Sequence, residues 1–100
     1  MPTYQQTETF IRDFRRLSRE EREAFLKALA RFVFDIASME AGEKDTFRPG
    51  LRVKGVHGRR NLFEMSWAHD GRATFMWGNP VYEGKRHVIW IRCGDHNILP

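Results

Sequence analysis

The sequence predicts an α+β domain in which an N-terminal helical hairpin packs on one face of a mostly antiparallel sheet of four or five strands. Three observations indicate this fold. Apolar residues recur at helical spacing up to about residue 39, the spacing changes to two after Pro49-Gly50, and turn sequences containing glycine or proline separate the segments that follow. One hundred residues are enough for one domain, which we expect to span residues 1–100.

Two helices are predicted in the first half of the chain, and they meet at Ser18. Each carries an apolar face of helical period, the first over residues 7–17 and the second as far as Met39. Ser18-Arg19-Glu20-Glu21 has the pattern of a capping box, in which the side chains of Ser18 and Glu21 each accept the other residue's backbone N–H. Gly42 can adopt the left-handed conformation that ends many helices, so the second helix is expected to end between Met39 and Gly42.

Strands are predicted in the second half, in four segments: residues 51–56, 62–68, 72–77 and 87–93. In the first segment Leu51 and Val53 share one face, whereas Arg52 and Lys54 share the other. His69-Asp70-Gly71 carries the Asp-Gly signal of a tight hairpin. The last segment is apolar on both faces and is expected to be central in the sheet, and residues 4–6 can add a short strand at the start.

Basic residues are concentrated in the second half. Residues 1–45 hold eight Lys and Arg against nine Asp and Glu, whereas residues 46–100 hold nine against four, together with all four histidines. Charged residues of the helices, such as Arg31, are expected to form a solvated outer face. A basic half joined to a near-neutral half indicates that one face meets an anion, either a phosphate backbone or an acidic partner. The alternative is that the basic residues only solubilise a small sheet.

Several classes of protein do not fit the composition. A single cysteine, Cys93, cannot form a disulfide within these 100 residues and argues against a cysteine-based metal cluster, so we expect it to be buried and inert. No apolar stretch is long enough to cross a bilayer, and no membrane partner is expected. The N-terminus lacks a basic segment followed by an apolar run, so we expect no export signal and a cytoplasmic protein.

The strand alternation predicts a polar sheet face opposite the helices. Apolar residues of the two middle strands would meet the helices, which leaves the other face with these residues: Glu64, Ser66, Arg72 and Thr74. Lys54 and Arg52 join that face if the first strand pairs in the matching register. Such a face is a workable cleft for a phosphodiester. Trp67, Trp77 and Trp90 are interpreted as core residues rather than as platforms for stacked bases.

The order of these elements, together with several stretches of sequence, resembles the RelE superfamily of bacterial toxins and its HigB-like branch. The stretches are Phe47–Lys54, Leu62–Trp67, Asp70–Phe75 and His87–His96. As in the HigB-like branch, a glutamate (Glu64) opens the second sheet strand after an aromatic residue, an arginine (Arg72) lies on the next strand, and the last strand runs into a glycine and a basic residue. The resemblance covers nearly the whole chain. RelE itself differs in having an arginine in place of Glu64 and a C-terminal tyrosine that this chain lacks.

The resemblance implies the toxin of a type II toxin–antitoxin system. Such a toxin is an mRNA endoribonuclease (mRNA interferase) that cuts on the ribosome, inhibits translation and is silenced by an antitoxin encoded beside it, here expected to be a helix-turn-helix protein. Cleavage requires that the 2′-OH lose a proton, that the charge of the phosphorane be matched and that the leaving 5′-oxygen gain a proton. The implied reaction needs no metal, and no cofactor is expected.

The resemblance assigns the catalytic functions to four residues: Lys54, Glu64, Arg72 and His96. Lys54 and Arg72 would bind the phosphate, for which the fork of an arginine is well suited, and His96 would exchange protons near neutral pH. Glu64 would act as a general base or orient Arg72. Each also has a structural alternative: Lys54 can protect a strand edge, Arg72 can brace the hairpin beside Asp70, and His96 can bond to the backbone.

Six further residues are candidates for RNA binding: Arg52, His57, Arg59, Arg60, His87 and Arg92. Three of them, His57, Arg59 and Arg60, lie in a glycine-containing turn that either grips an RNA backbone or is simply solvated. His87 begins the last strand, where a histidine is more often a hydrogen-bonded structural residue than a functional one.

Two other functions fit the same resemblance. A ParE-like toxin binds DNA gyrase and cuts nothing, and an inactivated member retains only the binding of its antitoxin. The histidines, together with Lys54 and Arg72 on one sheet face, favour the ribonuclease, because a pure binding protein has no need of groups that transfer protons.

Overall fold

A computed structural model describes all 100 residues as two helices that pack on a five-stranded sheet. In chain order the elements are β1 (Thr3–Gln6), α1 (Glu8–Arg16), α2 (Arg19–Glu40), β2 (Lys54–Gly55), β3 (Phe63–Ser66), β4 (Gly71–Gly78) and β5 (His87–Asp95), with 3₁₀ turns at Pro49–Leu51 and His96–Ile98. The strands lie in the order β1-β5-β4-β3-β2, and every pair is antiparallel except β1 with β5. The predicted α+β class and the mostly antiparallel sheet are confirmed.

The ends of both helices follow from their capping residues. The Thr7 hydroxyl accepts the backbone N–H of Phe10 at the start of α1, and both hydrogen bonds of the predicted capping box form between Ser18 and Glu21 at the start of α2. Gly42 has a φ of 77° and donates its N–H to the carbonyl of Met39, which ends α2 where the sequence predicted. No helix of the chain is both long and apolar enough to cross a membrane.

An aromatic core joins the helices to one face of the sheet. Phe32 of α2 lies at the centre, with its ring centroid 5.0 Å from that of Phe75 on β4 and 5.1 Å from that of Trp90 on β5. Phe10 of α1 and Phe25 of α2 pack against the same Trp90 ring. Aromatic pairs at these distances stabilise a core beyond the area that they bury. The helices therefore cover one face, and the opposite face carries the polar side chains.

The register places one polar residue from each of β2, β3, β4 and β5 in a row across that opposite face. Lys54 pairs with Glu64, Glu64 pairs with Thr74, and Thr74 pairs with Arg92. In the next row Ser66 pairs with Arg72. Side chains alternate along a strand and paired residues share a side, so all of these side chains lie on the same side of the sheet. We call this side the polar face.

The first predicted strand is wrong over most of its length. Residues 49–51 form a 3₁₀ turn, Arg52 adopts the left-handed conformation with φ 49° and ψ 44°, and only Lys54–Gly55 pair as a strand. The two-residue alternation was misleading because Leu51 reaches the core from the turn rather than from a strand face. Lys54 is on the polar face as predicted, but Arg52 is not, because the left-handed residue breaks the extended chain before β2 begins.

The hairpin between β3 and β4 occurs where predicted but with a different turn. A hydrogen bond from the Gly71 N–H to the Ala68 carbonyl closes it, and Gly71 is the first residue of β4 rather than a left-handed turn residue. Gly71 is required for another reason: a Cβ there would lie 2.6 Å from the ring of Trp67. The indole N–H of Trp67 donates to the Arg72 carbonyl, which holds the ring against the turn.

A buried carboxylate attaches the segment between α2 and the sheet. Asp35 of α2 has no exposed surface and accepts hydrogen bonds from Lys44 Nζ and from the backbone N, Nε and Nη2 of Arg48, at 2.9 to 3.0 Å. The hydrogen bonds of Arg48 hold the pKa of Asp35 well below its usual range, although burial acts in the opposite direction. Because Arg48 directly precedes the 3₁₀ turn, Asp35 fixes where that turn and β2 begin.

Replacement of Asp35 by asparagine should destabilise the protein in a pH-dependent way. We expect a loss of about 2–3 kcal/mol at pH 7, near the low end for a broken buried ion pair because Lys44 and Arg48 are about one-third exposed. The pKa of this carboxyl is lowered on folding, so its contribution is complete above pH 5 and declines as the pH falls below the unfolded value near 4. Urea unfolding of wild type, D35N and the exposed control D45N between pH 7 and pH 2 tests this. A wild-type advantage over D35N that did not shrink in acid would contradict it.

Replacement of Arg52 by glycine should stabilise the protein, although it removes a side chain. A left-handed conformation destabilises a non-glycine residue by about 1 kcal/mol, and glycine removes this strain. Part of the gain is lost, because glycine also increases the conformational entropy of the unfolded chain. We therefore expect R52G to be more stable by about 0.5 kcal/mol. Arg60 has no positive φ, so R60G relieves no strain and is destabilised by the greater freedom of glycine in the unfolded chain. Midpoints of urea unfolding for the two variants should move in opposite directions, and equal destabilisation would argue against strain at Arg52.

Candidate functional site

Glu64 and Arg72 form an incomplete pair on the polar face. The Nε of Arg72 lies 3.8 Å from Oε1 of Glu64, which is too far for a hydrogen bond, and this Nε is buried with no other partner. Glu64 is 8% exposed and receives no hydrogen bond. An unpaired buried donor is costly unless a ligand or water satisfies it. The pair therefore presents a donor and a carboxylate that can both contact an incoming oxygen.

The hairpin turn holds the other side of the Arg72 guanidinium. Nη1 of Arg72 donates to the carbonyls of Ala68, His69 and Gly71, at 3.4, 3.2 and 2.9 Å. The sequence had left open that Arg72 braces the hairpin beside Asp70. Arg72 does stabilise the hairpin, but through backbone carbonyls rather than through the Asp70 carboxylate. These contacts also orient the guanidinium, because they fix one edge while Nε faces Glu64.

Lys54 supplies an unpaired positive charge beside this pair. It is exposed, it lies directly opposite Glu64 in the β2–β3 register, and its ammonium has no ion-pair or hydrogen-bond partner. Residues directly opposite in an antiparallel pair have their Cβ atoms about 5 Å apart. The structure thus brings Lys54, Glu64 and Arg72 together, as the alternation predicted.

His96 lies at the end of the polar face that is nearest the hairpin. It begins the second 3₁₀ turn, it is exposed, and its ring makes no hydrogen bond. This turn packs back on the sheet at Gly94, where an added Cβ would lie 2.9 Å from Ile98, and Gly94 pairs with Arg72 across the strands. The ring of His96 is therefore exposed at the rim of the face with no partner to hold it.

Arg92 has a structural partner that the sequence did not reveal. Its Nε and Nη2 donate to the buried Asp13 carboxylate at 3.0 and 3.1 Å, and Asp13 also accepts the backbone N–H of Cys93. Hydrogen bonding to Asp13 raises the pKa of the Arg92 guanidinium. Asp13 belongs to α1, so it fastens that helix to the edge of β5 beyond β1. An aspartate on an otherwise amphipathic helix gives no sequence signal for this contact.

The other predicted RNA-binding residues lie in different surroundings. His57, Arg59 and Arg60 are exposed in the turn between β2 and β3 and have no ion-pair partner. His87 is buried, and its ring nitrogens lie 2.7 Å from Thr3 Oγ1 and 2.9 Å from Gln5 Oε1. Both nitrogens are occupied by β1, so we leave His87 out of the proposed RNA surface.

Four arginines and a histidine line a cavity of about 400 Å³ beside the end of β3 that does not pair with β2. We call it the arginine pocket, and its charged or titratable lining residues are Arg31, Arg48, Arg52, His69 and Arg72. No carboxylate lines it. Arg31 is exposed, as expected, and it also lines the pocket. Sequence reasoning missed the pocket because its residues come from α2, the 3₁₀ turn and the hairpin, which only the fold brings together.

The tryptophans and the cysteine are core residues. Trp67 and Trp90 are buried, and the partly buried Trp77 ring lies 5.2 Å from the Arg86 guanidinium. Cys93 is buried, and this burial, together with the nearby Asp13 charge, raises the pKa of its thiol to about 12. No three histidine, cysteine or acidic side chains are grouped closely enough to hold a metal ion.

The fold is that of known bacterial toxins. The whole chain matches the whole of a copper-bound mutant toxin from Helicobacter pylori, with a TM-score of 0.64 at 15% identity. It also matches a chain of the E. coli DinJ–YafQ complex over 99% of this chain and 98% of that one, with a TM-score of 0.62 at 10% identity. A second structure of the DinJ–YafQ toxin–antitoxin complex gives 0.58 at 9% identity, over 98% and 96% of the two chains.

These likenesses confirm, for the fold, the resemblance to RelE-superfamily toxins that the sequence indicated. At such low identities the likeness concerns the fold alone. No protein-family model and no curated protein sequence matches the chain.

Cys93 should be nearly inert to alkylation in the folded protein. A thiol pKa of about 12, against an ordinary 9.0, leaves about a thousandfold less thiolate at pH 8, and only the thiolate reacts. We expect iodoacetamide to label Cys93 at least about a hundredfold more slowly in buffer than in denaturing urea. Mass spectrometry of timed samples measures both rates on the same residue, and similar rates would contradict a buried thiol.

Proposed function

We propose that this chain is the toxin of a type II toxin–antitoxin pair and that it cleaves mRNA on the ribosome without a metal. The observation that carries the proposal is the incomplete Glu64–Arg72 pair beside the unpaired ammonium of Lys54. A protein whose polar face served only solubility has no reason to bury a carboxylate and a guanidinium Nε at 3.8 Å without hydrogen-bonding either. The toxin fold supports the same function.

The proposed reaction is attack of the ribose 2′-oxygen on the adjacent phosphorus. A bond forms between this oxygen and phosphorus, the bond from phosphorus to the 5′-oxygen breaks, and the products are a cyclic phosphate and a 5′-hydroxyl. The Arg72 guanidinium and the Lys54 ammonium stabilise the negative charge of the phosphorane. Arginine and lysine cations at fixed positions suit this task because they need little rearrangement as charge develops.

Two protons must move in this reaction. Glu64 receives no hydrogen bond, so its carboxylate can keep Arg72 Nε oriented and accept the proton of the 2′-OH. His96 donates a proton to the leaving 5′-oxygen, since its ring is exposed and free of partners. We assign the role of the acid to His96 because it lies at the rim of the polar face, in the turn that packs back on the sheet at Gly94.

RNA approaches from the basic turn between β2 and β3. His57, Arg59 and Arg60 are exposed there and can contact the sugar–phosphate backbone on either side of the cleaved bond. Arg92 contributes less, because Asp13 occupies its guanidinium. The antitoxin is proposed to be a helix-turn-helix protein encoded beside this chain, which binds the toxin and keeps RNA away.

Removal of Lys54 or of His96 should abolish most of the cleavage. Loss of either charge stabilisation or proton donation typically costs about a hundredfold or more in rate, so we expect K54A and H96A each to relieve growth arrest on expression. Mapping transcript ends in translating cells measures the cleavage directly. K27A, which removes an exposed lysine from α2, is the matched control and should stay toxic.

The same experiment separates the alternatives. Toxicity and cleavage that survive in the K54A/H96A double variant would place the catalytic site elsewhere. Growth arrest without transcript cleavage, combined with inhibition of supercoiling by purified gyrase, would replace the ribonuclease with a gyrase-binding toxin.

A further inference from the structure

The arginine pocket lies beside the polar face and has a different construction. Its apolar lining residues include Ala28 of α2, Leu51 of the first 3₁₀ turn and Trp67, and the cations complete the lining. A cavity of about 400 Å³ is within the size range of small-ligand sites. With four arginines and no carboxylate in the lining, its chemistry suits an anion.

The cations of the pocket are of two kinds. Arg48 is held by Asp35 through Nε and Nη2, which fixes its position and partly neutralises its charge. Arg31 and Arg52 are exposed and have no ion-pair or hydrogen-bond partner, so their full charge and all their donors are available. Several guanidinium forks that converge from different elements match the oxygens of a phosphate better than one planar carboxylate.

The strained backbone conformation of Arg52 indicates that its side chain has a functional role. Arg52 ends the 3₁₀ turn in the left-handed conformation, where glycine would carry no strain. Strained residues of this kind concentrate at ligand sites, because elsewhere a less costly residue serves. The other non-glycine residue with positive φ, Asn61, is an asparagine that tolerates this conformation and pairs with the Trp77 backbone.

The pocket and the polar face share two residues. Arg72 and Ser66 line the pocket and also form the row next to Glu64 and Thr74 on the sheet. Two residues along β3 span about 7 Å, so a ligand group in the pocket lies roughly one nucleotide away from a group held at Glu64. A strand of RNA can therefore occupy both places at once.

We infer that the arginine pocket binds the phosphate next to the one that is cleaved, and so sets the position of single-stranded RNA on the polar face. The inference rests on the proposed function for the identity of the anion. The shared Arg72 favours RNA over an acidic protein segment, since it joins the pocket to the catalytic row. Arg31 and Arg52 are positioning residues in this scheme, because they bind RNA away from the reacting atoms.

Binding of an RNA that cannot be cleaved tests the pocket apart from the reaction. The probe is a fluorescent single-stranded hexanucleotide with 2′-O-methyl groups throughout, which have no 2′-OH to attack. Fluorescence anisotropy gives the Kd for wild type, R31Q, R52G and the double variant. The control is R16Q, because Arg16 is exposed on α1, has no partner and lies outside the pocket.

We expect R31Q and R52G each to raise the Kd about five- to tenfold at about 0.1 M salt, with R16Q close to wild type. Each lost phosphate contact should also lower the slope of log K against log salt by about 0.7. Because R52G is expected to be more stable than wild type, weaker binding by this variant cannot be attributed to unfolding.

Other outcomes overturn the inference. A wild type that fails to bind the probe, pocket variants that bind as tightly as R16Q, or a hexaglutamate peptide that binds the pocket more tightly than the RNA would each do so. The proposed function is judged separately by transcript cleavage in cells. If transcripts are cleaved but RNA binding does not depend on the pocket, the ribonuclease function is supported and the phosphate site is rejected. If RNA binding depends on the pocket but transcripts are not cleaved, the phosphate site is supported and the ribonuclease function is rejected.

Discussion

Asp35 faces inward from α2 with no solvent contact and accepts four hydrogen bonds from the segment that leads from the helices to the sheet. Burying a carboxylate is unfavourable unless it is paired and fully hydrogen-bonded, so the segment must keep the arrangement that supplies these hydrogen bonds. Arg48 donates three of the four. The turn at Pro49–Leu51, the left-handed Arg52 and the strand that carries Lys54 all follow within six residues of Arg48. Both the polar face and the arginine pocket thus depend on the interaction between Asp35 and Arg48.

The division of labour between the two sheet faces has a simple origin. Once Phe32 and its aromatic neighbours bury one face, the alternation of β3 and β4 forces Glu64, Ser66, Arg72 and Thr74 onto the other. A one-residue slip would exchange the faces and bury these polar groups in the core, so the aromatic packing that stabilises the fold also sets the register of the site. The site residues therefore do not need to stabilise one another, which allows the Glu64–Arg72 pair to remain open.

The parts of the fold that sequence could predict are those set by local periodicity. The capping box at Ser18, the strands β3 to β5 and the placement of Glu64 and Arg72 on one sheet face each follow from residues close in sequence. The failures share one cause, which is that a side-chain contact outside the local periodicity decided the outcome. Arg52 leaves the predicted strand because Asp35 fixes the preceding residues, and Gly71 is needed because the ring of Trp67, four residues earlier, occupies its Cβ space. Asp13 binds Arg92 far along the chain and Arg31 lines a pocket with residues of the hairpin, and neither carries a pattern that would show this.

Arg72 shows why the same residue fits both the structural and the functional interpretation. A guanidinium has five donors, and three hairpin carbonyls engage only one nitrogen, Nη1. The carbonyls are neutral, so they orient the cation without placing a further negative charge beside it. At 3.8 Å the Glu64 carboxylate forms an ion pair with Arg72 but is too far away to accept a hydrogen bond from Nε. The orientation of the guanidinium is therefore established by folding before any RNA binds, and in that sense the hairpin is part of the proposed catalytic apparatus.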